Sequence, residues 1–235
     1  VSAAAERCAA APEPRAAHGE TPATLREALP TFLASWSPRI LLASLGAALG
    51  ARLALGAWSL RDLLPVAVVL LYWPLQEWAI HVFLLHFRPR RVLGRRLDLS
   101  VGRKHRAHHR DPWNTGILFI PVESYAFTLP VLVAACFLIA PDARLALTAL
   151  FTHLALTLHY EAVHFLIHTR VVPRTRFYRA LWRNHRLHHF KNENFWYGVT
   201  RLEGDLLLRT APRPSAVAAS PTARELFGIA AEPSS

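Results

Sequence analysis

Two stretches of this chain repeat one histidine pattern. "VGRKHRAHHR" carries His105, His108 and His109, and "LWRNHRLHHF" carries His185, His188 and His189, both as His-x-x-His-His. Two more groups accompany them. "HVFLLH" contains His81 and His86, and "HYEAVHFLIH" contains His159, His164 and His168. Neutral imidazole is a ligand for iron, zinc, copper or nickel. On an ideal helix, positions i and i+4 lie about 40° apart and i and i+3 about 60° apart. The first histidine of each triplet therefore shares a side with both others, while the adjacent pair diverges by about 100°. One triplet can thus serve two neighbouring ions. His164 and His168 share a face. His81 and His86 lie about 140° apart and are expected to reach different ions unless the helix distorts.

Setting aside His18 as a tail residue, His153 as a helix-packing residue and His159 for its poor angle leaves ten of the 13 histidines. Ten imidazoles supply about five ligands to each of two ions. A structural zinc is four-coordinate and closed. The larger count favours two redox-active irons able to bind dioxygen. Glu77 precedes His81 by four residues and Glu161 precedes His164 by three. Both are candidates to accept from the free N–H of a ligating imidazole. Interhelical hydrogen bonds are the alternative for both.

Four long apolar segments must position these groups: residues 40–58, 63–85, 116–140 and 145–167. Each approaches the roughly 20 residues of a transmembrane helix. The expected fold is an all-α integral membrane protein, with about four transmembrane helices and a cytoplasmic histidine-rich helical cap. A soluble all-α protein would need an unusually large core for a chain of this length. Glu77, Glu123, His153, His159, Glu161 and His164 fall inside the segments, and intramembrane ionisable groups mark a functional interior. Arg52 is expected to snorkel to a surface. Gly46 and Gly50 have helix-packing spacing.

Charge gives the expected orientation. Residues 88–110 hold nine cations and residues 170–191 hold seven, whereas "SLRD" and "APDAR" carry one arginine each. The positive-inside rule puts both triplets in the cytoplasm. Two passes separate them, which independently places them on one face.

Composition bounds the rest. The 235 residues suffice for one domain; 52% are hydrophobic and 18% charged, against about 25% charged in ordinary soluble proteins. The net charge is +11, and all but Lys104 and Lys191 of the 27 cations are arginine. Cationic residues this close to membrane segments suit anionic lipid headgroups rather than nucleic acid. The two cysteines, Cys8 and Cys136, are too few for a cysteine-based zinc or iron–sulfur site. No dinucleotide-binding glycine fingerprint or haem-attachment motif occurs. Electrons must come from a separate carrier, and the cationic cap suits an acidic one.

The start "VSAAAERCAA" lacks a signal-peptide pattern. The absence of methionine and the wealth of arginine and alanine point to a GC-rich bacterium, hence to the bacterial cytoplasmic membrane. Residues 1–22 read as a disordered tail and 23–36 as an interfacial helix, with Thr24 and Glu27 at capping-box spacing. Residues 37–211 read as the membrane domain and 212–235 as a C-terminal tail.

From about residue 70 to 211 the chain resembles the fatty acid hydroxylase superfamily, also called the sterol desaturase family. The resemblance rests on "EWAIHVFLLH", "KHRAHHR", "YEAVHFLIH" and "NHRLHHFKNENFWYGVT", and on the closing "GVTRLEGDLLLRT". In that closing segment Arg209 stands where glycine is common. The resemblance implies hydroxylation or desaturation of an unactivated lipid C–H bond, most simply in a fatty acyl chain. Dioxygen and two electrons from an external donor are used at a di-iron site that zinc can occupy in purified protein. It implies His81, His86, His105, His108, His109, His164, His168, His185, His188 and His189 as ligands. The expected split gives His86, His105, His108, His185 and His188 to one ion and the remaining five to the other. Asn192 and Asp205 join Glu77 and Glu161 as candidate supporting residues. Trp113, Asn114, Asn194, Phe195, Trp196 and Tyr197 are candidates to line the mouth, or an interfacial aromatic belt. The rivals are a desaturase or carotenoid-ring hydroxylase of the same superfamily, and a membrane metal transporter. A transporter would place ligands across the bilayer, whereas these gather at one side.

Overall fold

The computed structural model describes residues 18–224 and 226, and these are predominantly helical. Helix α1 (Leu25–Ala34) starts where the capping pattern predicts. Thr24 Oγ1 accepts from Glu27 N at 3.2 Å, and Glu27 Oε2 accepts from Ala23 N at 2.9 Å. Ala28 and Phe32 pack inward on Leu118 and Phe165, leaving Leu25, Leu29 and Leu33 exposed. The chain then bends by 81° into α2 (Trp36–Ala54).

Each apolar segment becomes a helix. These are α2, α3 (Leu63–Ala79) with a following π turn (Ile80–Leu85), α5 (Val122–Ile139) and α6 (Ala143–Ile167). Of the four expected spans, two or three are candidates by length and composition. Leu60–Leu85 and Thr115–Ile139 are long and apolar enough to cross a membrane, and the bent α1–α2 pair is a third if it counts as one span. Helix α6 is not among them. His153, His159, Glu161 and His164 interrupt its apolar run, and it is the centre of the bundle, packed by α2, α3 and α5. It buries eleven residues, whereas α5 buries only Tyr125 and turns Phe127, Leu138 and Ile139 outward.

At the end of the bundle remote from the triplets, Arg52 does not snorkel. It is buried against Asp62 at 2.5 Å, with Nε donating to Thr148 Oγ1 at 3.0 Å and Nη1 to the Gly56 carbonyl at 2.7 Å. The Trp58 ring covers the guanidinium at 3.8 Å. This cluster ties α2, α3 and α6 together. Deeper in the bundle His153 packs helices as expected, meeting Gln76 of α3 at 2.9 Å.

The cap consists of α4 (Ser100–Arg110), α7 (Arg176–Phe190) and short α8 (Glu203–Leu207). An antiparallel hairpin, β1 (Arg90–Val92) and β2 (Arg95–Leu97), interrupts the all-α expectation. Leu93 and Gly94 at its tip both have positive φ, the backbone of a tight primed turn.

Parts of both tails are described. Residues 1–17, including Cys8, and 225 and 227–235 lie outside the described residues. Residues 18–22 pack on the cap rather than hang free. The His18 ring meets Trp113 at 4.2 Å, and Arg170 N donates to the Pro22 carbonyl at 2.9 Å. The C-terminal segment returns to α7, where Ser220 N donates to the Lys191 carbonyl at 2.7 Å.

Candidate metal centre

The ten histidines singled out by spacing converge as two buried groups of five. His81, His86, His105, His109 and His188 form the first cluster. His108, His164, His168, His185 and His189 form the second. Within each, one ring nitrogen per residue lies within 4.8 Å of all the others.

Three local geometries produce this division. First, the chain after α3 winds as a π turn. His86 N donates to the His81 carbonyl at 3.0 Å, five residues back, which brings the two rings to 5.0 Å. Such i+5 winding places on one side two residues that an α-helix would hold apart. His81 and His86 therefore share a cluster, contrary to the expected split. Second, α4 sends His105 and His109 to the first cluster and His108 to the second. Third, α7 does the converse, sending His185 and His189 to the second and His188 to the first. The pair that stays together is i and i+4, about 40° apart, rather than i and i+3. The two i, i+4 pairs bring their Nε2 atoms to 3.2 and 3.1 Å.

Backbone carbonyls fix which nitrogen faces inward. His81 Nδ1 lies 2.6 Å from the Tyr197 carbonyl, His188 Nδ1 2.8 Å from that of Phe195, and His109 Nδ1 2.9 Å from that of Ala223. A carbonyl only accepts, so each Nδ1 carries the hydrogen and each neutral ring turns an Nε2 lone pair into the first cluster. His86 Nε2 then sits 3.1 Å from His188 Nε2. In the second cluster, His164 bonds the Leu118 carbonyl. His164 Nε2, both nitrogens of His108 and His168, and the Nδ1 atoms of His185 and His189 are buried without a hydrogen-bond partner. Buried nitrogens are rarely left so. Converging lone pairs and orphaned nitrogens together fit two cations.

Burial, reinforced by neighbouring imidazoles, pushes His86, His105, His108, His168, His185 and His189 well below the ordinary imidazole range. His188 is lowered likewise, against the opposing pull of the Phe195 carbonyl. Burial takes His109 down to about 3, although its bond to Ala223 opposes the shift. Neutral imidazole is the ligating form.

The candidate supporting residues act one step further out than expected. Glu77 touches no histidine by hydrogen bond. Its Oε1 accepts from Val199 N at 2.5 Å and Thr200 N at 2.9 Å, and its Oε2 accepts from the Thr200 hydroxyl and from Trp73 Nε1 at 3.2 Å. Glu161 likewise accepts from Ser37 Oγ at 2.6 Å and from Ile120 N at 2.8 Å. Asp205 is fully buried and accepts from Tyr197 N at 3.0 Å, Gly198 N at 2.7 Å, Asn184 Nδ2 at 3.1 Å and Thr210 Oγ1 at 2.6 Å. Glu77 and Asp205 thus clamp the loop that offers its carbonyls to His81 and His188. Asn192 sits in the turn after α7 and donates to the Ala218 carbonyl at 3.2 Å.

Trp196, between those two carbonyls, has φ 58°, an outlying backbone for a bulky residue. Its indole is buried, and Nε1 donates to the Pro212 carbonyl at 3.1 Å. Gly198 is required by space, since a Cβ there would lie 2.2 Å from the Arg201 carbonyl oxygen. Arg209 adopts φ 57° in the turn where the resemblance led us to expect glycine.

Of the mouth candidates, Tyr197 packs its ring 5.3 Å from those of His81 and His188. Trp113 stacks on Phe190 at 5.3 Å and lies 6.1 Å from His168. Two of the motif arginines are structural rather than lipid-facing. Arg106 pairs with Asp98 at 2.7 Å, and Arg186 lies over Trp113, Trp182 and Phe190. Spacing did not point to the carbonyls of Leu118, Phe195, Tyr197 and Ala223. Every residue carries a carbonyl, so no residue type could have signalled them.

A helical bundle with apolar outer helices, closed at one end by two five-imidazole clusters, defines a membrane-type candidate two-metal protein. Residues 66–210 match the family model for fatty acid hydroxylase, and the chain belongs to the fatty acid hydroxylase family. Among solved structures it is similar in fold to full-length Scs7p, of which only the hydroxylase domain is visible. That likeness has a TM-score of 0.60 at 23% identity, covering 77% of this chain and 66% of the other. A comparison with curated proteins gives no match.

Proposed function

We propose that this protein is a membrane lipid hydroxylase that replaces a C–H bond, most simply in a fatty acyl chain, by C–OH. Dioxygen supplies the inserted oxygen atom. Its second atom leaves as water, with two electrons and two protons from an external donor. The single observation that carries this reading is the pair of buried five-imidazole clusters in a chain of the fatty acid hydroxylase family. Two irons held there would supply dioxygen activation and C–H oxidation.

The chain's own contribution is position and dryness. The loop at residues 195–199 and the Ala223 carbonyl set the His81, His188 and His109 rings. Tyr197 and the cap helices keep the histidines almost wholly from solvent. The apolar outer helices fit a bilayer, from which a lipid can approach laterally. The basic cap faces the cytoplasm in this reading, where a separate electron-transfer protein with an acidic surface docks.

The test is to supply purified, iron-loaded protein with a competent electron donor, lipid vesicles and ¹⁸O₂, then to analyse the lipids by mass spectrometry. A gain of one labelled oxygen, lost in His188→Ala and His105→Ala, is expected. Loss of two hydrogens would make the protein a desaturase instead. Unchanged lipids with a donor that reduces the metals would refute both.

A further inference from the structure

A groove of about 750 Å³ runs between the start of α1, the outer face of α6 and the start of α7. It lies within the roughly 300–1,000 Å³ typical of small-ligand sites. Its α6 wall is His159, Ala162, Val163, Leu166 and Ile167. These positions recur at helical spacing, and their common face lies about 130–170° away from His164 and His168. The groove therefore lies apart from the metal centre, on the other side of the same helix. His159, which the metal clusters do not use, meets the Tyr178 hydroxyl at 3.1 Å.

Apolar walls and a cationic mouth coincide there. Val171, Val172 and Pro173 continue the wall, and exposed Arg170 and Arg174 stand at its end. Arg170 is held in place, its Nε donating to the Thr21 carbonyl at 2.8 Å. Neither arginine has an ion pair with a carboxylate among the described residues. Leu25, Val172 and Phe177 beside the groove are exposed apolar side chains, suited to the boundary between headgroups and acyl chains.

We propose that this groove binds one acyl chain of an anionic phospholipid, with the phosphate at Arg170 and Arg174, as a site separate from the one that oxidises substrate. The occupant follows from charge complementarity. Arg170 is partly engaged already by the Thr21 carbonyl and the charge of Glu27, but a neutral lipid would fill the apolar length and leave the exposed Arg174 without an anion. The bound lipid would join α1 to α6 and α7, fixing the cap to the bilayer.

Binding is read without turnover, so this test stands or falls independently of the hydroxylase reading. The purified chain is exchanged into phosphatidylcholine vesicles with and without one-fifth phosphatidylglycerol, and retained lipid is quantified by native mass spectrometry. Preferential retention of phosphatidylglycerol is expected. Arg174→Ala should weaken it about fivefold, and Arg174→Glu further, as for a cation near an anionic lipid surface. Arg61→Glu, at the opposite end of the bundle, should leave it unchanged. Ala162→Phe, which fills the groove from α6, should also remove the preference. Equal retention of both lipids, or an Arg174→Glu protein that retains phosphatidylglycerol like the parent, would overturn the proposal.

Discussion

His86 N donates to the carbonyl of His81, five residues earlier, at 3.0 Å. That hydrogen bond belongs to the π turn of residues 80–85, whose winding puts both imidazoles in the same cluster. The division of the triplets follows the same logic, with each i, i+4 pair kept together and each i+3 histidine sent across.

The division is testable by metal counting. His105→Ala combined with His109→Ala removes two ligands from the first cluster and none from the second. The double variant should retain about one metal ion per chain by elemental mass spectrometry. His105→Ala with His108→Ala takes one ligand from each cluster and should weaken both sites. If the first pair depleted both ions equally, the assignment would be wrong.

Asp205 acts through the Tyr197 loop rather than by touching metal. Asp205→Asn replaces one accepting oxygen by an amide donor, which then faces either Tyr197 N on the Oδ1 side or Gly198 N and Asn184 Nδ2 on the Oδ2 side, groups that already donate. Affinity at the first cluster should fall by about 10–100-fold, the usual effect of losing an outer hydrogen-bond partner. Competition with a chromophoric chelator measures this. A weakening confined to the second cluster would contradict it.

The C-terminal segment belongs to the metal centre although it lies beyond the family match. Ala223 orients His109, and Arg224 Nε and Nη2 donate to the carbonyls of His109 and Arg110 at 3.2 and 3.0 Å. Shortening the chain after Val217 removes these contacts. The helical circular dichroism should persist, while metal at the first cluster becomes about 10–100-fold easier to extract. Unaltered extraction would show the segment to be dispensable there.

Acid should strip and destabilise the cap. The buried histidines of α4 and α7 have folded pKa values below their unfolded value near 6.5. As pH falls below about 6.5 the unfolded chain takes up protons that the folded cap resists. Stability is therefore full above that pH and declines toward the lower folded values. Metal release and a falling thermal midpoint should appear together between about pH 6.5 and pH 4. A midpoint that rose over this interval would reverse the sign and refute the argument.

Arg52 and Asp62 should behave as a buried unit. Asp62→Ala leaves the Arg52 guanidinium without its carboxylate and should lower the thermal midpoint more than joint Arg52→Met and Asp62→Leu replacement. Thermal unfolding in detergent compares the two, and equal losses would argue that the pair is not coupled.

The sequence by itself determined which side chains could hold metal. Ligand chemistry depends on residue type, and helical spacing is written in the chain. The capping of α1 by Thr24 and Glu27 and the packing role of His153 were legible for the same reason, as local chemistry. Spacing could not divide the ligands correctly: residues 80–85 do not wind as an ideal helix, and on α4 and α7 spacing allows either the i+3 or the i+4 histidine to stay with the first until packing aims each face. Nor could hydropathy show that α6 is the bundle's centre or that Arg52 has Asp62 as a partner. Burial and pairing depend on what packs from elsewhere in the chain. The loop clamped by Glu77 and Asp205, and the return of Ala223 to His109, were decided only by tertiary structure. They act through backbone carbonyls, which are the same in every residue until folding aims them.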